Sequence, residues 1–190
     1  MAPIEAKPTL QHNTFLGRQV FATQSDHPLG QVTDLWIDLR QHRVLGFSCR
    51  AGFWDLCLQT YAWKQIETLD EQRIEVQSSP VVHPTLILSL NAETGMAVRE
   101  RLDLGVWTQQ GDRLGEITDF SFNASTGTID YYFLAPHTKR DQTPELIYLA
   151  SSMIVDGGQG WLQVPDQYKQ QLEPEAKNLN LLPWQVAFAS

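Results

Sequence analysis

Two aspartates invite a chemical reading. Asp34 and Asp119 each stand inside an apolar, strand-like stretch, behind Thr33 and Thr118 and ahead of Leu35 and Phe120. Carboxylates gathered in a cleft can act as general acid and base or bind a hard metal ion. Here they occupy matching contexts far apart in the chain, and a catalytic pair rarely sits at equivalent points of two copies of one segment. Each is therefore expected to accept hydrogen bonds from a neighbouring turn. The histidines, His12, His27, His42, His83 and His137, show no short spacing to one another or to cysteine that would suggest zinc. His27 and His42 read as exposed turn residues. Ser151-Ser152 lacks the glycines of a nucleophile elbow, and Gly157-Gly-Gln-Gly160 lacks the lysine and following helix of a phosphate loop. Cys49 and Cys57, within an apolar stretch, read as buried free thiols. The expectation is a protein that is not an enzyme, with no catalytic residue, cofactor or metal.

The elements that carry these residues repeat. The segment Leu29-Gly30-Gln-Val32-Thr-Asp34-Leu-Trp-Ile-Asp38 aligns with Leu114-Gly115-Glu-Ile117-Thr-Asp119-Phe-Ser-Phe-Asn123 at an offset of 85 residues. Upstream, Val20-Phe21 matches Val106-Trp107 if the first turn carries one extra residue. Downstream, Val44–Phe47 faces Ile129–Tyr132, and Ile66…Asp70…Ile74-Glu-Val76 resembles Met153…Asp156…Leu162-Gln-Val164. Each copy reads as a meander of short strands. Thr33, Leu35, Ile37 and Leu39 alternate with Val32, Asp34, Trp36 and Asp38, the period-two pattern of a strand with one buried face. Polar turns at Gln24–Pro28, Arg40–Arg43, Gln109–Arg113 and Ala124–Thr128 separate the strands. Short strands at this spacing predict small closed barrels, which leave few pairing edges exposed.

The expected fold is mainly β: two small barrels in tandem, with a short helical linker and a C-terminal helix and tail. Residues 13–78 form the first domain, 79–100 the linker, 101–165 the second domain and 166–190 the C-terminal segment. Within the linker, Val81–Leu90 could add a strand, and 92–102 suits a short helix capped by Asn91. Pro165 to Leu172 suits a helix with proline in its first turn.

Composition narrows the function. The chain of 190 residues carries a net charge of −8, and its 14 basic residues are scattered, so direct nucleic-acid binding is disfavoured. No apolar run approaches the ~20 residues that span a bilayer, and the start lacks a secretory pattern, which predicts a soluble cytoplasmic protein. Six tryptophans are many for this length, and the aromatics are the better functional signal. Trp36, Phe53, Trp54 and Trp63 in the first copy, and Trp184 and Phe188 near the C-terminus, are the candidate partner-binding residues. Trp36 falls on the more polar strand face, where partial exposure would suit an interface anchor. The competing expectation for these aromatics is a small core between the barrels.

The repeated block, with Gly30, Asp34 and Asp38 in one copy and Gly115 and Asp119 in the other, resembles the PRC-barrel domain. Leu16-Gly17 stands where that family often places a Leu-Gly pair ahead of its first strand. The second copy departs by ending on Asn123 and by its glycine-rich turn at 157–160. The resemblance implies a small β-barrel that contacts other proteins, as in the soluble domain of the purple bacterial reaction-centre H subunit and the C-terminal domain of the ribosome maturation protein RimM. Tandem proteins of this size look like those of cyanobacteria. The resemblance thus implies an adaptor or assembly factor that docks on a photosynthetic membrane or antenna complex. Its expected partners are photosystem or phycobilisome subunits, met at the cytoplasmic face of thylakoid membranes through a protein partner alone. The alternative is a ribosome-maturation or RNA-processing accessory factor similar to RimM. The lack of that protein's N-terminal domain and of a basic stripe counts against it.

Overall fold

The computed structural model describes residues 9–52, 58–77, 95–98, 102, 104–137 and 146–172. A strand β1 (Thr9–Gln11) and a single helical turn α1 (His12–Phe15) lead into β2 (Gln19–Ala22), β3 (Pro28–Asp38), β4 (Arg43–Arg50), β5 (Gln59–Ala62), β6 (Ile66–Leu69) and β7 (Arg73–Val76). A further strand, β8 (Gly95–Val98), leads into β9 (Leu104–Thr108), β10 (Arg113–Asn123), β11 (Ile129–Pro136), β12 (Ile147–Ala150), β13 (Asp156–Gly158) and β14 (Trp161–Val164). A helix α2 (Gln167–Leu172) follows Pro165, as its sequence predicts. The protein is mainly β, as expected.

Two sheets share one strand order. The first runs β5-β4-β3-β2-β7-β6 and the second β12-β11-β10-β9-β14-β13. In each, one pair is parallel, β2 with β7 and β9 with β14, and the other pairs are antiparallel. The long central strands β3 and β10 carry bulges at the same place, between Val32 and Asp34 and between Ile117 and Asp119. An inserted residue reverses the side-chain phase. Val32 therefore joins Leu35 and Ile37 in the core, as Ile117 joins Phe120 and Phe122. This corrects the unbroken alternation expected across Val32–Asp38.

The two halves exchange strands. β1, which precedes the first set, pairs with β10 of the second sheet, Thr9 opposite Asn123 and Leu10 opposite Phe122. β8, which precedes the second set, pairs with β3 of the first sheet, Gly95 opposite Asp38 and Met96 opposite Ile37. The helix expected over 92–102 is therefore a strand at Gly95–Val98. Pairing with the edge of a remote strand overrides local helix propensity there. Asn91 and Val81–Leu90 lie outside the described residues.

The exchange is reciprocal about a pseudo-twofold axis that passes by an isolated bridge between Arg43 and Thr128. The Val44 N–H donates to the Gly127 carbonyl and the Ile129 N–H to the His42 carbonyl, each at 2.7 Å. Side chains complete the junction. The Phe15 ring lies 5.8 Å from Phe47 and 6.0 Å from Phe122, and Trp63 lies 5.3 Å from both Phe15 and Phe122. One continuous apolar core thus serves both sheets. Burial of an aromatic side chain stabilises a fold by a few kcal/mol, so these shared rings couple the halves energetically.

Candidate protein-docking face

The repeated motif residues are occupied with the backbone. Asp38 Oδ1 accepts the N–H groups of Arg40 at 2.9 Å and Gln41 at 3.1 Å. Asn123 Oδ1 does the same for Ser125 and Thr126 at 2.9 and 3.1 Å. The turn needs an acceptor oxygen rather than a charge, which explains why asparagine replaces aspartate in the second copy. Gly30 and Gly115 lie where a neighbouring strand comes close. A Cβ at Gly30 would stand 2.3 Å from the Arg50 carbonyl oxygen, and one at Gly115 2.1 Å from that of Ala135.

Asp34 and Asp119 are buried, one in each sheet. The Thr33 hydroxyl donates to Asp34 Oδ2 at 2.7 Å. Asp119 Oδ1 accepts the backbone N–H groups of Phe120 at 2.8 Å and Asn13 at 3.3 Å, the latter from the turn that follows the exchanged strand β1. His12 is buried beside it, its ring stacked on Phe120 at 5.0 Å and its Nδ1 3.6 Å from Asp119 Oδ1. Among the described residues, no group of three or more histidine, cysteine or acidic side chains could hold a metal ion. Burial pushes the Cys49 thiol up to about 12, which keeps it an unreactive thiol at neutral pH. Cys57 lies outside the described residues.

Of the aromatics proposed as partner anchors, Trp36 is only 7% exposed and Trp63 only 8% exposed. Trp36 Nε1 donates to Ser48 Oγ at 2.7 Å, and that hydroxyl meets Thr60 Oγ1 at 2.9 Å. Trp63 Nε1 donates to the Ala124 carbonyl across the junction at 3.1 Å. Both residues anchor the fold itself, which corrects their expected role on a free surface. Phe53, Trp54, Trp184 and Phe188 lie outside the described residues. His42 also differs from its exposed expectation. It is half-buried against the second half, its Nδ1 2.9 Å from Tyr132 Oη.

The exposed large apolar side chains among the described residues all fall in the second half. Trp107 on β9 is 38% exposed and Trp161 on β14 is 37% exposed. Their neighbours Val106 and Leu162 point into the core, so both indoles lie on the outer surface of the sheet. Trp161 is in register with Gly105, two residues from Trp107 on the adjacent strand. Glycine makes room for each ring. A Cβ at Gly105 would stand 3.0 Å from Trp107 Nε1, and one at Gly158 2.8 Å from Trp161 Nε1. Across β10, Tyr131 and Tyr148 are exposed on the same outer surface, and Tyr148 packs edge-on against Phe133 at 5.0 Å. Arg113 stands 5.7 Å from the Trp107 ring and pairs with Glu116, while Lys169 pairs with Asp112 at 2.9 Å. Charges at the rim are thus matched locally.

The first half supplies an internal control. In its β2–β7 pair, in the same parallel register, Phe21 replaces Trp107, Gln19 replaces Gly105, Arg73 replaces Trp161 and Asp70 replaces Gly158. There the Arg73 guanidinium covers Phe21 at 3.9 Å from the ring centroid and pairs with Glu75 at 2.9 Å. One backbone arrangement therefore forms with a polar, self-covered surface or with open tryptophans. Folding alone does not require the tryptophans. The sequence hinted at this through the match of Val106-Trp107 to Val20-Phe21, but only the register shows that Trp107 faces outward.

Residues 9–82 match the model of the PRC-barrel domain family. The match spans the first sheet, apart from β8, together with the exchanged strand β1. A search of curated proteins finds no match to the chain. No helix among the described residues is long and apolar enough to cross a membrane.

Proposed function

We propose that this chain is a non-catalytic adaptor or assembly protein that docks on another protein through the outer face of its second half. The observation that carries the reading is the replacement of Gln19, Phe21, Asp70 and Arg73 in the first half by Gly105, Trp107, Gly158 and Trp161 in the second. Tryptophan is favoured at the energetic centre of protein interfaces, and here the fold gives it no structural task. The PRC-barrel match at residues 9–82 supports the same class, since that domain belongs to assembly and adaptor proteins.

The second half is, in this reading, a second PRC-type barrel that has diverged for contact. The complex it serves is a photosynthetic membrane or antenna assembly, met from the cytoplasmic side through its protein subunits. A net charge of −8 favours a protein contact over direct adsorption to an anionic lipid surface. The test is affinity isolation of the tagged chain from its native cells, beside a Trp107→Phe/Trp161→Arg variant that places the residues of the first half at the two tryptophan positions. Photosystem or phycobilisome subunits should accompany the wild type and fall roughly 30-fold or more in the variant, the loss expected for one interface hot spot. Ribosomal small-subunit proteins in their place would overturn the photosynthetic assignment. Equal recovery by the variant would overturn the face.

A further inference from the structure

A cleft of about 350 Å³ opens where the two halves meet, walled by Trp63, Ile66, Leu69 and Ala124. Arg43 and Lys64 stand on its rim with Ser125, Thr126 and Glu67. The Arg43 side chain is held there by its Nε–H, which donates to the Thr126 carbonyl at 3.2 Å. The Glu67 carboxylate accepts the Thr23 hydroxyl at 2.7 Å. The rim therefore presents two cations against one carboxylate, on a chain whose net charge is −8.

The pseudo-twofold again provides the comparison. Across it, Leu39 occupies the place of Ala124 and is fully buried. Gly157 occupies the place of Leu69, and a Cβ there would stand 3.7 Å from Leu39 Cβ. The two sides thus exchange a large and a small residue, Leu39 with Gly157 on one and Leu69 with Ala124 on the other, and Ser151 stands across the axis from Trp63. The rim differs as well: Arg43, Lys64 and Glu67 correspond to Thr128, Ser152 and Val155 across the axis, while Ser125 corresponds to Arg40.

We propose that this cleft binds a small organic anion, with its carboxylate, sulfonate or phosphate group on Arg43 and Lys64 and a compact apolar body against Trp63, Ile66 and Leu69. Its volume falls at the lower end of small-molecule pockets, which run from about 300 to 1,000 Å³. Guanidinium and ammonium groups give charge-assisted hydrogen bonds to such oxyanions, and the hydroxyl of Ser125 adds a neutral donor.

The test uses the full chain and 8-anilinonaphthalene-1-sulfonate, an aromatic sulfonate that fluoresces when shielded from water. Three variants are compared with the wild type. Ala124→Leu places a larger side chain in the cleft wall, Arg43→Thr/Lys64→Ser replaces its two cations with the residues at the equivalent positions, and Trp107→Gln alters the outer face only. Wild type and Trp107→Gln should show the same saturable one-site binding. Ala124→Leu should abolish it, and Arg43→Thr/Lys64→Ser should weaken it at least about tenfold, as expected for lost charge-assisted hydrogen bonds. Absence of saturable binding to the wild type, or retention of wild-type affinity in Arg43→Thr/Lys64→Ser, overturns the assignment. Should Ala124→Leu lose its cooperative unfolding transition, the exchange of the exposed Arg43 and Lys64 decides the matter alone.

Discussion

At the scale of single residues, Asp119 satisfies two backbone donors and Asp34 takes the Thr33 hydroxyl, while the acceptors that end the two long strands hold turns. Asp38 and Asn123 hold equivalent turns with one oxygen each. Asp38→Asn should therefore leave stability within about 0.5 kcal/mol of wild type, while Asp38→Ala should cost about 1–2 kcal/mol by stranding two N–H donors, as read by urea denaturation. His42 carries a pH prediction. Burial lowers its pKa below the usual 6.5, opposed by the nearby Asp38 charge. The unfolded chain then takes up a proton before the folded one does. Stability should thus be unaffected by His42 well above pH 6.5 and should fall as pH drops through 6.5 toward the lower folded pKa. His42→Asn keeps a residue that tolerates the positive φ of 47° at this turn and should flatten that part of the stability profile. The repeat made the acceptor at the end of each long strand legible in the sequence, whereas the partners of Asp34 and Asp119 were not, since one is the adjacent Thr33 hydroxyl and the other comes from Asn13, remote in the chain. The fate of the tryptophans was not legible, because Trp36 and Trp107 each sit among apolar neighbours and only strand register shows which one the fold covers.

At the scale of elements, the repeat, the turns and most strands follow from sequence spacing, while two features depend on partners remote in the chain. The bulges at Thr33 and Thr118 reverse the side-chain phase without any glycine or proline to announce them. β8 forms because β3 offers it an edge, and no local pattern at 95–98 encodes that edge. Strand exchange predicts that damage to β1 is felt in the other half. Leu10 is partly buried against the common core opposite Phe122. Leu10→Asp should destabilise by roughly 2 kcal/mol, from lost apolar burial and a poorly solvated carboxylate. Amide exchange should accelerate at Ser121–Asn123 of β10, over a hundred residues away in sequence. Acceleration confined to residues 9–20 would show that the exchanged strand is an ornament.

At the scale of the whole molecule, the shared core and reciprocal strands make the two halves one cooperative unit. Calorimetry should show a single transition, and Phe122→Ala should lower it as a whole, by about 3–5 kcal/mol. Two separable transitions would contradict the shared core. Within that unit the halves differ in what they leave open. The first half covers its β2–β7 surface with Arg73, and the second leaves two tryptophans on the matching surface of β9 and β14. The account's central claim is that this difference exists to bind a protein. It is tested most directly by placing a photo-crosslinking benzophenone residue at position 161 and, separately, at the equivalent position 73, in the full chain within its native cells. A discrete protein adduct from position 161, with only background from position 73, is the predicted result. Equal labelling from the two positions, or an adduct from position 73 alone, would contradict it.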